Sequence, residues 1–333
     1  MREIYIYNFS NTYGGQEKFI DYLQTEFKKN KIKLIVLKNK PGIRSFFKPI
    51  NYPYKSGKST KIIEILNGNY ALFCRGFLIR KKNVKRIYIQ HSSYRDHQEG
   101  LIKIIIRIIL FYILFIGIEK IIRVSKSNLP KFFGSSKIKT IHNGVPSRNL
   151  SFIKKKNFNK KEIKFIMVGG INRNKNQDLA IKLLRKNKAY FLTILGDGAL
   201  KNKLKKENYD LLREGRLNFK GIVKETKKYY LDADILLMLS FNEGLPFCVL
   251  EAMSYGLVVI SSKVGGVPEI INDKFNGLLM EKNNIESLQK CVDYIISEDN
   301  LYLQLQKNSI DRFKNNLTSE IMAKKYINVI KDL

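Results

Sequence analysis

Ile235-Leu-Leu-Met-Leu-Ser240-Phe-Asn-Glu243-Gly-Leu-Pro-Phe-Cys-Val-Leu-Glu251-Ala-Met-Ser-Tyr-Gly256-Leu-Val-Val-Ile-Ser261 changes character three times. The apolar run Ile235–Leu239 has the length of a strand buried on both faces. A turn containing Gly244 and Pro246 follows, then a segment with helical spacing over Leu250–Tyr255, then a second apolar run over Leu257–Ser261. Strand, loop, helix and strand in this order build a parallel sheet wrapped by helices. Two acids sit across the junction, Glu243 in the loop and Glu251 in the first turns of the helix. Ionised carboxylates accept several hydrogen bonds, which suits sugar and ribose hydroxyls. Backbone N–H groups at a helix start favour a phosphate. One such site can therefore hold ribose, diphosphate and sugar. Acids biased toward a helix start are the plainer explanation of the two carboxylates, and the extent of the surrounding pattern weighs against it.

The same alternation extends outward. Lys164–Gly170 reads as a strand ending in glycines, Asp178–Arg185 as a helix, and Tyr190–Leu195 as a strand ending in Gly196-Asp197-Gly198. Leu200–Glu207 and Thr226–Ala233 are helical, with a strand at Leu217–Lys220 between them. The first half repeats this rhythm less cleanly. It has strands at Glu3–Tyr7, Lys33–Leu37, Tyr70–Phe73, Arg86–Gln90 and Ile121–Ser125, and a loop over 39–60. A helix over Glu17–Lys29 lines up Phe19, Ile20, Leu23 and Phe27 on one face. The polar, basic stretch Ser147–Lys161 is the linker. A chain of 333 residues is too long for one small core, so the expectation is an α/β protein with one domain over 1–150 and another over 151–316. A C-terminal helix over about 317–333 packs back on the first. Ligands of open parallel sheets bind at the carboxyl ends of the strands, and two such domains facing each other form a cleft.

Asn242 to Ile271, NEGLPFCVLEAMSYGLVVISSKVGGVPEII, resembles the donor-site signature of retaining glycosyltransferase family 4. The resemblance is dense from Phe165 to Leu279 and sparser before that. It implies two Rossmann-like domains facing across a cleft, the GT-B architecture. It also implies that Glu243 contacts the transferred sugar, that Glu251 binds the nucleotide ribose, and that Gly244, Leu245, Pro246 and Phe247 form a turn lending backbone donors to sugar and phosphate. Gly265-Gly266-Val267-Pro268-Glu269 is similar to the loop that follows in the family, and reads as support for the helix start. Val168-Gly169-Gly170-Ile171-Asn172-Arg173-Asn174-Lys175 is similar to the family's strand-ending loop, which carries an Arg and then a Lys for the diphosphate. Lys175 matches the Lys. Gly170 stands where the family has its Arg, and the nearby Arg173 is the candidate substitute.

Tyr13-Gly14-Gly15-Gln16-Glu17 resembles the family's GG-x-E loop. Gly15 then faces the donor phosphates, while Glu17 reads more simply as a helix-start acid. His91, at the end of an apolar strand, resembles the family histidine near the sugar, and with Glu243 it is the candidate catalytic residue. His97 is a weaker candidate, and His142, in a segment similar to the hinge, is not catalytic. Asp232-Ala-Asp234 has the spacing of a metal motif but precedes a core strand and reads as structural. No HExxH or paired CxxC suggests a metal, and neither metal nor cofactor is expected. Cys74, Cys248 and Cys291 are far apart, which fits inert thiols in a reducing compartment.

The net charge is +32, and residues 1–150 alone carry 29 Lys/Arg against 8 Asp/Glu. A basic half with the runs Lys55–Lys61 and Arg80–Lys82 suits an anionic membrane surface. Leu101–Ile118 is nearly all apolar but carries Lys103 and Arg107 four apart, so a buried or membrane-surface helix is favoured over a span. The opening MREIYIYNFS reads as a short strand without a long apolar stretch, so a secretory signal is not expected. The expected activity is retaining, metal-independent sugar transfer from a nucleoside-diphosphate sugar. The expected acceptor is a lipid-linked sugar or polysaccharide in bacterial-type surface glycan synthesis, at the inner face of the cytoplasmic membrane. A GT-B-shaped epimerase or phosphorylase-like relative is the nearer alternative. A nucleic-acid binder rests on charge alone and lacks any recognisable module.

Overall fold

A computed structural model describes residues 2–8, 14–38, 61–67, 83–91, 105, 109, 118–128, 136–148 and 158–333. It divides into two units, Met1–Gly144 with Ser319–Leu333, and Val145–Thr318. Among the described residues each carries a six-stranded sheet whose strand-to-strand pairings are all parallel. The α/β reading therefore holds for both halves of the chain.

In the first unit the strands are β1 (Arg2–Asn8), β2 (Leu34–Lys38), β3 (Lys61–Asn67), β4 (Val84–Gln90), β5 (Lys120–Arg123) and β6 (Ile138–Thr140), ordered β2-β1-β3-β4-β5-β6. Helix α1 (Gly15–Lys29) buries Phe19, Ile20, Leu23 and Phe27, the face its spacing foretold. The last helix of the chain, Ser319–Lys331, packs on α1. There Ser319 Oγ donates to Glu26 Oε1 at 2.9 Å, and the Phe19 and Tyr326 rings lie 5.7 Å apart.

Strand β3 is missing from the sequence reading. Glu64 interrupts its apolar run, and a lone acid in that position argues against a central strand. The fold instead buries it: Arg86 Nε donates to Glu64 Oε2 at 2.8 Å, and Tyr7 Oη to Glu64 Oε1 at 3.3 Å. A buried acid is tolerated when paired and hydrogen-bonded in this way. The loop over 39–60, the strand at Tyr70–Phe73, Cys74, Arg80–Lys82 and His97 lie outside the described residues, as does most of Leu101–Ile118. Of that last segment Ile105 and Ile109 are exposed and Ile118 is buried. Among the described residues no helix is long and apolar enough to cross a membrane.

The second unit follows its sequence pattern closely as far as Ser262, while the strand Leu278–Met280 and the helices Ile285–Ser297 and Leu301–Asn316 are missing from the sequence reading. Strands β7 (Ile163–Val168), β8 (Tyr190–Leu195), β9 (Leu217–Gly221), β10 (Ile235–Met238), β11 (Val258–Ser262) and β12 (Leu278–Met280) are ordered β12-β11-β10-β7-β8-β9. All residues of β10 and β11 are buried, as continuous apolar runs in a parallel sheet require. Fully burying each large apolar side chain contributes roughly 1.5–3 kcal/mol, which fixes the sheet as the rigid platform beneath the loops.

Candidate functional site

The chain of the second unit runs from β7 outward to β8 and β9, then crosses back to β10 and proceeds to β11 and β12 on the other side. The direction of winding therefore reverses between β7 and β10. In open parallel sheets the loops leaving such a neighbouring pair diverge and leave a crevice at their carboxyl ends. The two loops here are 169–176 and 239–246, which contain Lys175 and Glu243.

They are joined by several bonds. Asn174 Nδ2 donates to the Asn242 carbonyl at 3.0 Å, the Asn242 N–H donates to Asn174 Oδ1 at 3.0 Å, and the Phe241 N–H donates to the Asn174 carbonyl at 2.9 Å. Asn172 caps the short turn Arg173–Lys175, accepting from the Lys175 N–H at 3.2 Å. Asn176 then adopts φ 54°, a left-handed conformation that asparagine tolerates, and turns the chain into the helix Gln177–Leu184.

This geometry delivers Lys175 Nζ to 2.5 Å from Glu243 Oε1, with both side chains mostly buried. Burial alone pulls the ammonium pKa down, but the charges of Glu243 and Cys248 and the hydrogen bond to Glu243 outweigh it, leaving the value above 10.5. Lys175 is thus a fixed cation. Beside it a small pocket is lined by Met167, Val168, Gln177 and Ser240, among others. Gln177 Oε1 and Ser240 Oγ are buried polar atoms without a protein partner. At Gly169, φ 143°, a Cβ would come within 3.1 Å of Lys175 Cε. A side chain there would crowd the lysine and adopt a conformation disfavoured for L residues.

The turn after Glu243 leads into α2, as we label the helix Phe247–Ser254. It starts three residues before the predicted Leu250, so Glu251 falls in its second turn. Pro246 precedes it in extended conformation, a position where the missing N–H costs nothing. Leu245, Pro246 and Phe247 are buried. The Gly265–Glu269 loop braces this turn, with the Gly266 N–H donating to the Gly244 carbonyl at 2.6 Å. Gly265 has φ 54°, and a Cβ on it would overlap the carbonyl oxygens of Glu243 and Gly244. Glu251 is 3% exposed, and its Oε2 accepts from Tyr230 Oη at 2.8 Å.

Of the remaining candidates, Arg173 and Gly170 are exposed on the Lys175 loop. Gly15 opens α1, and the Gly14 N–H donates to Glu17 Oε2 at 2.8 Å, so Glu17 closes the helix start. His91, at the end of β4, has Nε2 2.6 Å from Asn67 Oδ1 and its ring edge-on to Phe19, centroids 4.9 Å apart. Burial lowers its pKa to about 4, so the imidazole is neutral at physiological pH. Asp234 is buried, its Oδ2 accepting the Lys164 N–H at 2.8 Å. No three His, Cys, Asp or Glu side chains among the described residues form a group that could hold a metal.

Sequence reasoning missed Asn174, Asn242 and Tyr230. The asparagines join loops 68 residues apart, a pairing with no local signal. Tyr230 is the one buried residue of the short, largely polar helix Lys227–Asp232 and reads as an ordinary packing residue. Asn67 was missed with the strand it ends.

Residues 150–312 match the family described as Glycosyl transferases group 1. An uncharacterized glycosyltransferase of Haemophilus influenzae is 30% identical over 252 residues, covering 74% of this chain and 69% of the relative. The Escherichia coli O-antigen biosynthesis glycosyltransferase WclY is 28% identical over 259 residues, 74% of this chain and 70% of the relative. Among solved structures, Anabaena Alr3699/HepE in complex with UDP superposes with a TM-score of 0.75, covering 99% of this chain and 100% of that one at 15% identity.

Proposed function

The chain belongs to the glycosyl transferases group 1, and from that premise we propose that it transfers a sugar from a nucleoside-diphosphate sugar to a surface-glycan acceptor, with retention and without an essential metal. The observation that carries this reading is the Lys175–Glu243 pair at the switch between β7 and β10, at the head of α2. The pair supplies one buried cation for a diphosphate and one carboxylate for sugar hydroxyls.

The bonds suggest an exchange. Glu243 is paired with Lys175. A diphosphate carries more charge than a carboxylate and draws Lys175 to itself, with Arg173 and the N–H groups of Gly244, Leu245 and Phe247 as further donors. Glu243 is then released to orient the transferred sugar, and Glu251 takes the ribose hydroxyls. As the bond to the sugar breaks, negative charge grows on the leaving diphosphate. Lys175 and the α2 N-terminus stabilise that charge where it develops. His91, neutral and paired with Asn67, has no proton-donating role in this reading.

The basic first half and the similarity to WclY, an O-antigen biosynthesis glycosyltransferase, support a lipid-linked or polysaccharide acceptor at an anionic membrane face. The decisive experiment incubates labelled nucleotide sugars with and without lipid-linked acceptor, in the presence of EDTA. Product that requires acceptor, resists EDTA and keeps the donor's anomeric configuration supports the proposal. Turnover without acceptor identifies an epimerase or hydrolase instead.

A further inference from the structure

We propose that Tyr230 is the positioning residue of the nucleotide-ribose contact, its buried hydroxyl holding Glu251 in the orientation that receives the ribose; this rests on the donor-site reading of Glu251. Tyr230 lies on the short helix Lys227–Asp232 and Glu251 on α2, so the 2.8 Å bond ties together two separate elements. The tyrosine ring is itself immobilised. It is fully buried and stacks on Tyr255, with centroids 5.2 Å apart and planes 15° from parallel. The guanidinium of Arg148 lies 4.9 Å from the centroid of the Tyr255 ring. The hydroxyl therefore has one direction in which to donate.

It also has one role. Burial, and then the charge of Glu251, raise the phenol pKa well above 10.0, so the proton stays on the oxygen and the group remains a donor. Packing alone does not account for the pair. The rest of α2 buries Phe247, Val249, Leu250, Ala252 and Met253, and a hydrophobic residue at 251 would fill the same space without the desolvation of a carboxylate. A carboxylate kept there and fixed by a dedicated donor is the arrangement of a prepared acceptor, in which the supporting hydrogen bond sets the geometry of the contact residue.

The test is nucleotide binding by calorimetry on the full chain. Wild type is screened with UDP, GDP, ADP and CDP, and the best binder is compared with its 2′,3′-dideoxy form. Wild type should prefer the ribonucleotide, and Glu251→Ala should lose that preference. Tyr230→Phe should weaken the ribonucleotide about tenfold, the size of one hydrogen bond to a charged group, and leave the dideoxy form within about twofold. In a Glu251→Ala background, where no acceptor remains and no carboxylate is stranded, the Phe substitution should change nothing further. This second comparison keeps the question answerable if Tyr230→Phe alone folds poorly. Equal weakening of both nucleotide forms means that Tyr230 only supports the fold, and unchanged binding means that it does not position Glu251. Either result overturns this inference and leaves the donor site standing. Wild type binding none of the four, or Glu251→Ala keeping its ribose preference, overturns the donor-site reading and this inference with it.

Discussion

Lys175 Nζ and Glu243 Oε1 lie 2.5 Å apart although 68 residues separate them in the chain. The pair exists because two adjacent strands release their loops at the same edge and three hydrogen bonds of Asn174 fasten those loops together. If Glu243 holds Lys175 until a diphosphate takes it, as proposed, the two residues should respond to substitution in opposite ways. Glu243→Ala leaves Lys175 free for phosphate. Nucleoside-diphosphate affinity should hold or rise, while sugar transfer falls by about 100-fold or more, as when a preorganised polar contact is removed. Calorimetry beside a transfer assay decides; parallel loss of binding and turnover would refute the exchange.

Lys175→Ala should do the reverse. Losing a charged hydrogen-bonding partner should weaken nucleoside-diphosphate binding by roughly 10- to 100-fold and leave the bare nucleoside unaffected. It also strands a mostly buried carboxylate, so unfolding free energy should fall by about 1–3 kcal/mol. The double variant Lys175→Ala/Glu243→Ala should recover part of that loss. Urea titrations of the four proteins form the cycle.

The raised pKa of Lys175 has a definite sign in pH. A cation whose folded value exceeds its unfolded one stabilises fully below 10.5 and loses that contribution as pH rises through the folded value. Nucleoside-diphosphate affinity should therefore show no Lys175 titration between about pH 7 and 9. The stability gap between wild type and Lys175→Ala should shrink only in more alkaline buffer. A binding inflection within the neutral range that disappears in Lys175→Ala would contradict the burial and pairing described.

The second unit was legible because its strands are continuous apolar runs and its turns are marked by glycines. Periodicity alone separates β7, β8, β10 and β11. The Glu243–Glu251 stretch was legible as a site for the same reason: polar chemistry interrupts an otherwise apolar pattern at a strand end. What composed the site was not legible. Asn174 and Asn242 look like any loop asparagines, and the side chain holding Glu251 is a single buried tyrosine on the short, largely polar helix Lys227–Asp232. In the first unit β3 was hidden by Glu64, whose partner Arg86 is 22 residues away. Long-range pairing of buried polar groups decides these cases, and local composition does not report it.

Gly265 tests the brace behind the donor turn. With φ 54° and no room for a Cβ against the carbonyls of Glu243 and Gly244, Gly265→Ala must displace one loop or the other. Strain of this kind costs on the order of 1–3 kcal/mol. Thermal unfolding should drop by several degrees, and the nucleotide-induced shift should shrink with it. Gly215→Ala is the matched control: its φ is 69°, but a Cβ there meets nothing within 4 Å. It should lower stability without touching nucleotide binding.

His91 should be seen in stability rather than in the neutral-pH activity profile. Its pKa falls from 6.5 to about 4 on folding, so the unfolded chain binds a proton that the folded chain refuses. The associated stability is present above pH 6.5 and is lost as pH falls toward 4. Replacing His91 with Gln, which keeps a polar group beside Asn67 but cannot titrate, should flatten the acid side of the stability curve. Activity of the wild type should carry no inflection near pH 6.5 from this ring. An inflection there that vanishes in His91→Gln would mean that the histidine is exposed and charged during turnover.

Cys248 gives an independent handle on where the diphosphate sits. It is the second residue of α2, is half-buried, and lies close enough to Lys175 to influence its charge. A thiol at a helix N-terminus beside a lysine is in a reactive setting. Cys291 is different: burial, followed by Asp273 and Glu281, raises its pKa to about 11. At pH 8 only about one molecule in a thousand carries that thiolate. Iodoacetamide should therefore modify Cys248 well before Cys291, with loss of nucleotide binding in step. Bound nucleoside diphosphate should slow the reaction at Cys248 and leave Cys291 unchanged. Peptide mass mapping reads each cysteine separately. Equal rates at the two sites would contradict the surroundings described for Cys248, and absence of protection by a nucleotide that binds would move the diphosphate away from the head of α2.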